Sequence, residues 1–145
     1  MSKESAAVVY KVLTGIMLKY YDPFPLRNLD LFIRDLRNSG KESMQADEHF
    51  PIDFYRECAN ALIAWCIDSF KDLSRDRIYP MFQQAWAFHK YMLGLDTSDD
   101  STDTLLAEAN KICDGIERQE ERALYIAILH EYTRLCNEAK ANGQP

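Results

Sequence analysis

Residues 51–73 read PIDFYRECANALIAWCIDSFKDL, and this stretch decides the fold. Between Glu57 and Asp68 it carries no charge, and its polar positions (Asp53, Arg56, Glu57, Asn60, Asp68 and Lys71) fall in a narrow strip when wound at 100° per residue. The spacing predicts a helix over 51–73, opened by Pro51, whose fixed φ and missing N–H suit a first turn. A helix so broadly apolar must be covered by others, so the rest of the chain should supply helical partners.

Working outward, it does. A helix over 4–21 places Ala6, Val9, Val12, Leu13, Ile16, Met17 and Tyr20 on one face, with Lys11, Gly15 and Lys19 opposite. Asp22-Pro23-Phe24-Pro25 ends it, because residues before proline avoid the α region. A helix over 25–38 carries the stripe Leu26, Leu29, Phe32, Ile33 and Leu36 and is expected to stop at Asn38-Ser39-Gly40, leaving residues 39–49 as a polar loop. A further helix is expected over 80–94, starting at Pro80 and ending at Gly94. Three helix starts thus share an aromatic–proline–apolar triplet (Phe24-Pro25-Leu26, Phe50-Pro51-Ile52, Tyr79-Pro80-Met81), but the likeness stops there and is not a repeat array.

The segment from Asp96 to Asp103 reads as an acidic loop that caps the next helix. Helical pattern then runs to Ala141. One rod of that length would measure roughly 58 Å, against roughly 38 Å for a compact globule of this size. A break is therefore expected near Asp114-Gly115, giving helices over 103–114 and 116–141, with the hexad Glu117 to Arg122 as a solvated waist. Alternating strand patterns and hairpin dipeptides are missing. The fold class is all-α: an antiparallel bundle of five or six helices forming one domain over 1–145, with the third and fourth helices at its centre.

The chain has 145 residues, 47% apolar and 28% charged, which excludes disorder over most of its length. Its net charge is −6; Asp96, Asp99, Asp100 and Asp103 hold much of the acid excess, and the remainder is near neutral. Broad phosphate-backbone binding needs clustered cations that this balance does not supply. The start has no signal-peptide layout, since Lys11 and Lys19 interrupt the first apolar stretch, and no run approaches a membrane span. The four cysteines, Cys58, Cys66, Cys113 and Cys136, have no CxxC spacing, and Cys58 and Cys66 would lie roughly 12 Å apart on one helix, too far to bridge. Reduced thiols and a cytoplasmic location are expected.

Motifs for chemistry are missing. Glu-x-x-His fails at His49, His89 and His130, where Ala46, Trp86 and Ala127 hold the glutamate position. His130-Glu131 is followed by Arg134 rather than the second histidine of a zinc motif. The acidic loop has Ser101 and Ala107 where a calcium loop needs glycine and glutamate. Glu117-x-x-Glu120 supplies half of a paired acidic magnesium motif, without the second half. Neither phosphate-cradling glycines nor a nucleophile elbow occurs. No metal and no cofactor is expected. His89 falls within the apolar arc of its helix and should be a neutral, hydrogen-bonded imidazole. His130 falls on a polar face and should be solvated.

One feature exceeds what a simple bundle member needs. The 80–94 helix has an apolar arc of roughly 220°, running from Tyr91 through Leu95, Phe88, Met81, Met92, Ala85, Phe82 and Leu93 to Trp86, where a surface helix needs little over 100°. Either its own chain covers both sides, or Tyr79, Met81, Phe88, Tyr91 and Leu95 form an exposed edge for a partner. The first reading of function is a non-enzymatic protein-interaction or regulatory module, binding another protein or a second copy of itself as a homodimer. A second is a helical subunit of a larger nucleoprotein assembly, touching nucleic acid through Arg27, Arg34, Arg37 and Lys41. A third is an enzyme with an inter-helix site using His89 or Glu117, Glu120 and Glu121.

Overall fold

The computed structural model describes residues 3–20, 29–69, 75–95, 97 and 102–143. Among them are six helices and no strand: α1 (Lys3–Tyr20), α2 (Leu29–Ala46), α3 (Ile52–Ser69), α4 (Arg75–Leu93), α5 (Thr102–Asp114) and α6 (Gln119–Gly143). The fold is an all-α bundle. The expected starts and ends at Tyr21, Pro25 and Leu73, together with Arg27 and most of the acidic loop, lie outside the described residues.

Five helices close a ring. Each packs on two neighbours in the order α1, α2, α3, α6, α4 and back to α1, while α5 lies outside and packs on α6. The third helix is well covered, with Phe54, Tyr55, Cys58, Ala59 and Leu62 all buried. The expectation that α3 and α4 bury each other as the central pair is corrected: they meet across the interior through Phe54 and His89, with ring centroids 4.8 Å apart, but α6 packs on both and is the helix with most partners. That packing accounts for the breadth of apolar surface on α4, which faces α1 on one side and α6 on the other. Arg77 meets Glu121 at 3.1 Å, and Phe88 stacks on Tyr125 at 4.7 Å, so α4 and α6 run in the same sense, with α5 as the return crossover outside the ring.

The rings of Tyr10, Phe54 and His89 tie α1, α3 and α4 together across the interior. Each buried aromatic or aliphatic side chain of this core contributes about 1.5–3 kcal/mol.

Three boundaries differ from expectation, each for a packing reason. Gly40 does not stop α2, which continues for almost two more turns to Ala46. The glycine has no positive φ; it lies under the ring of Tyr55, whose Cε1 would sit 2.7 Å from a β-carbon at that position, and the Tyr55 hydroxyl donates to the Leu36 carbonyl at 2.6 Å. The chain turns instead at Asp47. Its carboxylate accepts from the Ser5 hydroxyl at 2.6 Å and from the His49 N–H at 2.9 Å, and its carbonyl accepts from the Phe50 N–H at 3.0 Å.

Helix α4 starts at Arg75, so Pro80 lies inside it rather than opening it. Proline there leaves one carbonyl without its helical donor, but the added turn buries Ile78 completely and lets Arg77 reach Glu121. Finally, the break expected near Asp114-Gly115 is present, but α6 begins at Gln119 rather than at 116, after a turn over 115–118. The Arg122 guanidinium closes this turn by donating to the Ile116 carbonyl at 2.9 Å. The hexad is thus not a uniformly wet waist, because Glu121 and Arg122 are both engaged.

Candidate functional site

The exposed edge expected on α4 is split. Met81 and Phe88 are buried, at 2% and 7% exposure, and Leu95 is half-buried against the core, whereas Tyr79 and Tyr91 are exposed at 57% and 46%. Phe88 stacks between Tyr125 and Tyr91, so Tyr91 is the outer end of an aromatic ladder that begins inside the bundle.

Tyr79 belongs to a different feature. Between α1 and α4 lies a groove of about 470 Å³, open to solvent and bordered by Ala7, Tyr10, Lys11, Thr14, Gly15 and Leu18 from α1 and by Tyr79, Phe82, Gln83 and Trp86 from α4. Its α4 wall is aromatic because the arc too wide for one interface continues past the α1 contact. Its α1 wall is the strip that carries Lys11 and Gly15, the face opposite the buried stripe. Amphipathic patterning treats such a strip as plain solvent-facing surface, so the groove was not visible in the sequence; the one local signal was a glycine inside a helix.

The floor of the groove is closely packed and hydrogen-bonded. Tyr10 is buried, and its hydroxyl lies 2.8 Å from His89 Nδ1. The Tyr10 ring also packs on Trp86 at 5.3 Å. His89 is 1% exposed, set among Tyr10, Phe54 and Trp86. Burial lowers its pKa to about 4 and raises that of Tyr10 well above its ordinary value, so both groups are neutral at physiological pH. The imidazole serves the core as a hydrogen-bonding partner, behind the groove rather than in it. Lys90 extends over the Trp86 ring, 5.5 Å from its centroid.

The second polar assembly joins α3 to α6. Glu57 accepts from Arg134 at 2.9 Å and lies 2.8 Å from His130 Nδ1; Arg134 also donates to Glu131 at 2.8 Å. His130, expected to be merely solvated, is therefore paired with a carboxylate. Burial raises the pKa of Glu131, with Arg134 opposing the shift. Glu131 and Arg134, but not Glu57 or His130, border a polar hollow of about 280 Å³ with Glu48, His49, Asp53 and Glu138. Among the described residues no group of three or more His, Cys, Asp or Glu side chains is disposed to hold a metal ion.

The glutamates considered for catalysis do not converge with His89: Glu117 is exposed in the turn before α6, Glu121 is tied to Arg77, and the Glu120 side chain lies outside the described set. Cys58, Cys113 and Cys136 are buried free thiols. Burial pushes Cys113 up to about 11 and Cys58 higher still, which keeps them protonated and unreactive. Arg34, Arg37 and Lys41 are exposed along one strip of α2, with Asp30 exposed one turn before Arg34. No helix among the described residues is long and apolar enough to cross a membrane. Compared with protein-family models, with characterised proteins and with solved structures, the chain finds no match.

Proposed function

We propose that this chain is a non-enzymatic interaction module that takes a segment of a partner protein into the groove between α1 and α4. The observation that carries the reading is the groove itself: Tyr79, Phe82 and Trp86 on one wall, with Tyr79 more than half exposed, over a floor locked by the Tyr10–His89 pair. A preformed aromatic trough of this size is the ordinary form of a recognition surface, and rigid aromatic anchors lose little entropy on binding. Among the described residues, His89, Glu57, Glu121, Glu131 and His130 are each engaged in an ion pair or a core hydrogen bond.

Site-specific photo-crosslinking tests this. With p-benzoylphenylalanine in place of Tyr79, discrete adducts should form in cells; with the same residue in place of Ile112 or Ile126, exposed on α5 and α6, they should not. Equal adduct patterns at all three positions, or none at position 79, would refute the assignment. An adduct of twice the chain mass would identify the partner as a second copy.

A second reading rests on the exposed strip of Arg34, Arg37 and Lys41, which would touch the phosphate backbone of a nucleic acid inside a larger assembly. Binding to a single-stranded RNA oligonucleotide that weakens steeply with salt, and is lost in the triple alanine variant, would support it. Salt-independent or absent binding would remove it.

A further inference from the structure

Resting on the groove reading above, we infer that the segment it accepts is an amphipathic α-helix whose backbone crosses α1 at Gly15 and whose acidic end lies beside Lys11 and Lys90.

Two observations carry this. The first is that the chain's own fold does not require Gly15. A glycine inside a helix weakens it relative to alanine, so an interior glycine calls for a local reason. Gly40 has one, because a β-carbon there would strike the Tyr55 ring at 2.7 Å. Gly15 has none within the fold: its φ is not positive, and a β-carbon there would meet nothing within 4 Å. Yet it opens directly onto the groove, with Ala7 and Thr14 on the same wall. A bare α-carbon at that place allows another backbone to approach closely, as small residues do where two helices cross.

The shape agrees. From Ala7 to Leu18 the trough follows α1 for about 16 Å, and it is open to solvent along its side. A rod laid lengthwise suits it better than a small molecule, which binds where most of its surface can be enclosed.

The second observation is charge. None of the described residues lining the groove is acidic, and Lys11 is the one charged group among them. Lys90, one turn beyond Trp86 on α4, lies over the indole ring. Neither lysine makes an ion pair among the described residues. Tyr10 of α1 packs on Trp86, which puts Lys11 and Lys90 at the same end of the trough. At the other end, Asp76 precedes Tyr79 by one turn of α4 and is exposed. An exposed acid flanks each end, since Glu4 likewise precedes Ala7 by one turn of α1, but the two lysines leave the Trp86 end the more positive, and an occupant with acids there matches it. The net charge of −6 opposes such a partner only weakly, because charges beyond a Debye length, about 8 Å at physiological salt, are largely screened.

The test uses two synthetic 18-residue helices with the same Leu/Phe stripe, one bearing three glutamates at one end and the other three lysines in their place. Each is titrated into the isotopically labelled full chain while backbone amide signals are followed. The glutamate helix should shift signals of residues 10–18 and 79–90 and bind about tenfold more tightly than the lysine helix at low salt, a margin that shrinks at high salt. Lys11→Glu should reverse the order. Gly15→Leu should abolish binding while keeping the melting temperature at or above that of the wild type, which separates a blocked groove from a broken fold.

Equal binding of both helices at the groove, still blocked by Gly15→Leu, would overturn the acidic preference and leave the docking reading standing. Dodecanoate shifting the same signals where the helices do not would overturn the helical occupant. So would self-association, seen in sedimentation velocity, that Gly15→Leu removes. If no probe touches the groove, this inference and the docking reading both fall.

Discussion

At the scale of single residues, the two helical glycines should answer the same substitution with opposite signs. Gly15→Ala adds a methyl group into open space and improves helix propensity, so it should stabilise the chain by about 0.5–1 kcal/mol. Gly40→Ala must displace the Tyr55 ring that donates to the Leu36 carbonyl, so it should destabilise by about 1–3 kcal/mol. Urea unfolding of both variants checks this, and a shift of the same sign for the pair would contradict the packing described at Tyr55. His89 offers a second test. Its folded pKa of about 4 lies below the value near 6.5 expected in the unfolded chain, so as pH falls the unfolded state takes up the proton first. The stability this neutral imidazole contributes is complete above pH 6.5 and is lost progressively down to pH 4, by about 3 kcal/mol in all. His89→Phe lacks the titrating group and should show a correspondingly flatter fall in urea midpoint over that window. Parallel curves for the two proteins would mean that His89 is not held neutral by burial. The role of this histidine was legible in sequence, because its angular position placed it among Phe82, Ala85 and Met92.

At the scale of elements, what could be read depended on whether a helix end is set locally or by a distant neighbour. The joint between α5 and α6 was legible, because Gly115 and the polar run after it lack any apolar face to continue. The end of α2 was not: Gly40 looks like a stop signal until the Tyr55 ring, fifteen residues further on, is seen lying over it, and the turn that ends the helix depends on Ser5 from α1. The start of α4 was hidden similarly, since Pro80 reads as a first residue, whereas Ile78 and Arg77 find burial and an ion pair on α6. The seam between α3 and α6 was invisible, because patterning places Glu57, His130 and Arg134 on separate polar faces and says nothing of their meeting. This seam makes a measurable claim. Glu57→Ala removes the acceptor shared by Arg134 and His130 and should cost about 1 kcal/mol, the upper range for partly exposed pairs. A double-mutant cycle with Arg134→Ala should return a coupling of about 0.5–1 kcal/mol that shrinks in high salt. A coupling of zero would mean that the two helices are held by their apolar contacts alone.

At the scale of the whole molecule, the closed ring and the helix outside it differ in how much each holds in place. Every helix of the ring is clasped between two others, and the interior is tied across by Tyr10, Phe54 and His89. Helix α5 packs on α6, and its buried side chains are small or polar: Thr102, Ala109 and Cys113, with Leu106 only partly covered. Since burying a large aliphatic side chain contributes about 1.5–3 kcal/mol and a methyl or thiol far less, the α5–α6 interface falls well short of what the ring supplies. Opening of α5 should therefore be a separate, low-energy event that leaves the five-helix ring intact. Hydrogen exchange followed by mass spectrometry tests this directly. Peptides covering residues 105–113 should exchange with an opening free energy several kcal/mol below those covering 54–62 and 124–132, and should stay nearly insensitive to low urea while the core peptides respond. Uniform protection across all three segments would show that α5 unfolds only with the ring. A low-energy α5 also fixes which surface is dependable for recognition: the groove between α1 and α4 is built wholly from ring helices, so its walls should keep their spacing while the crossover on the far side of α6 opens and closes.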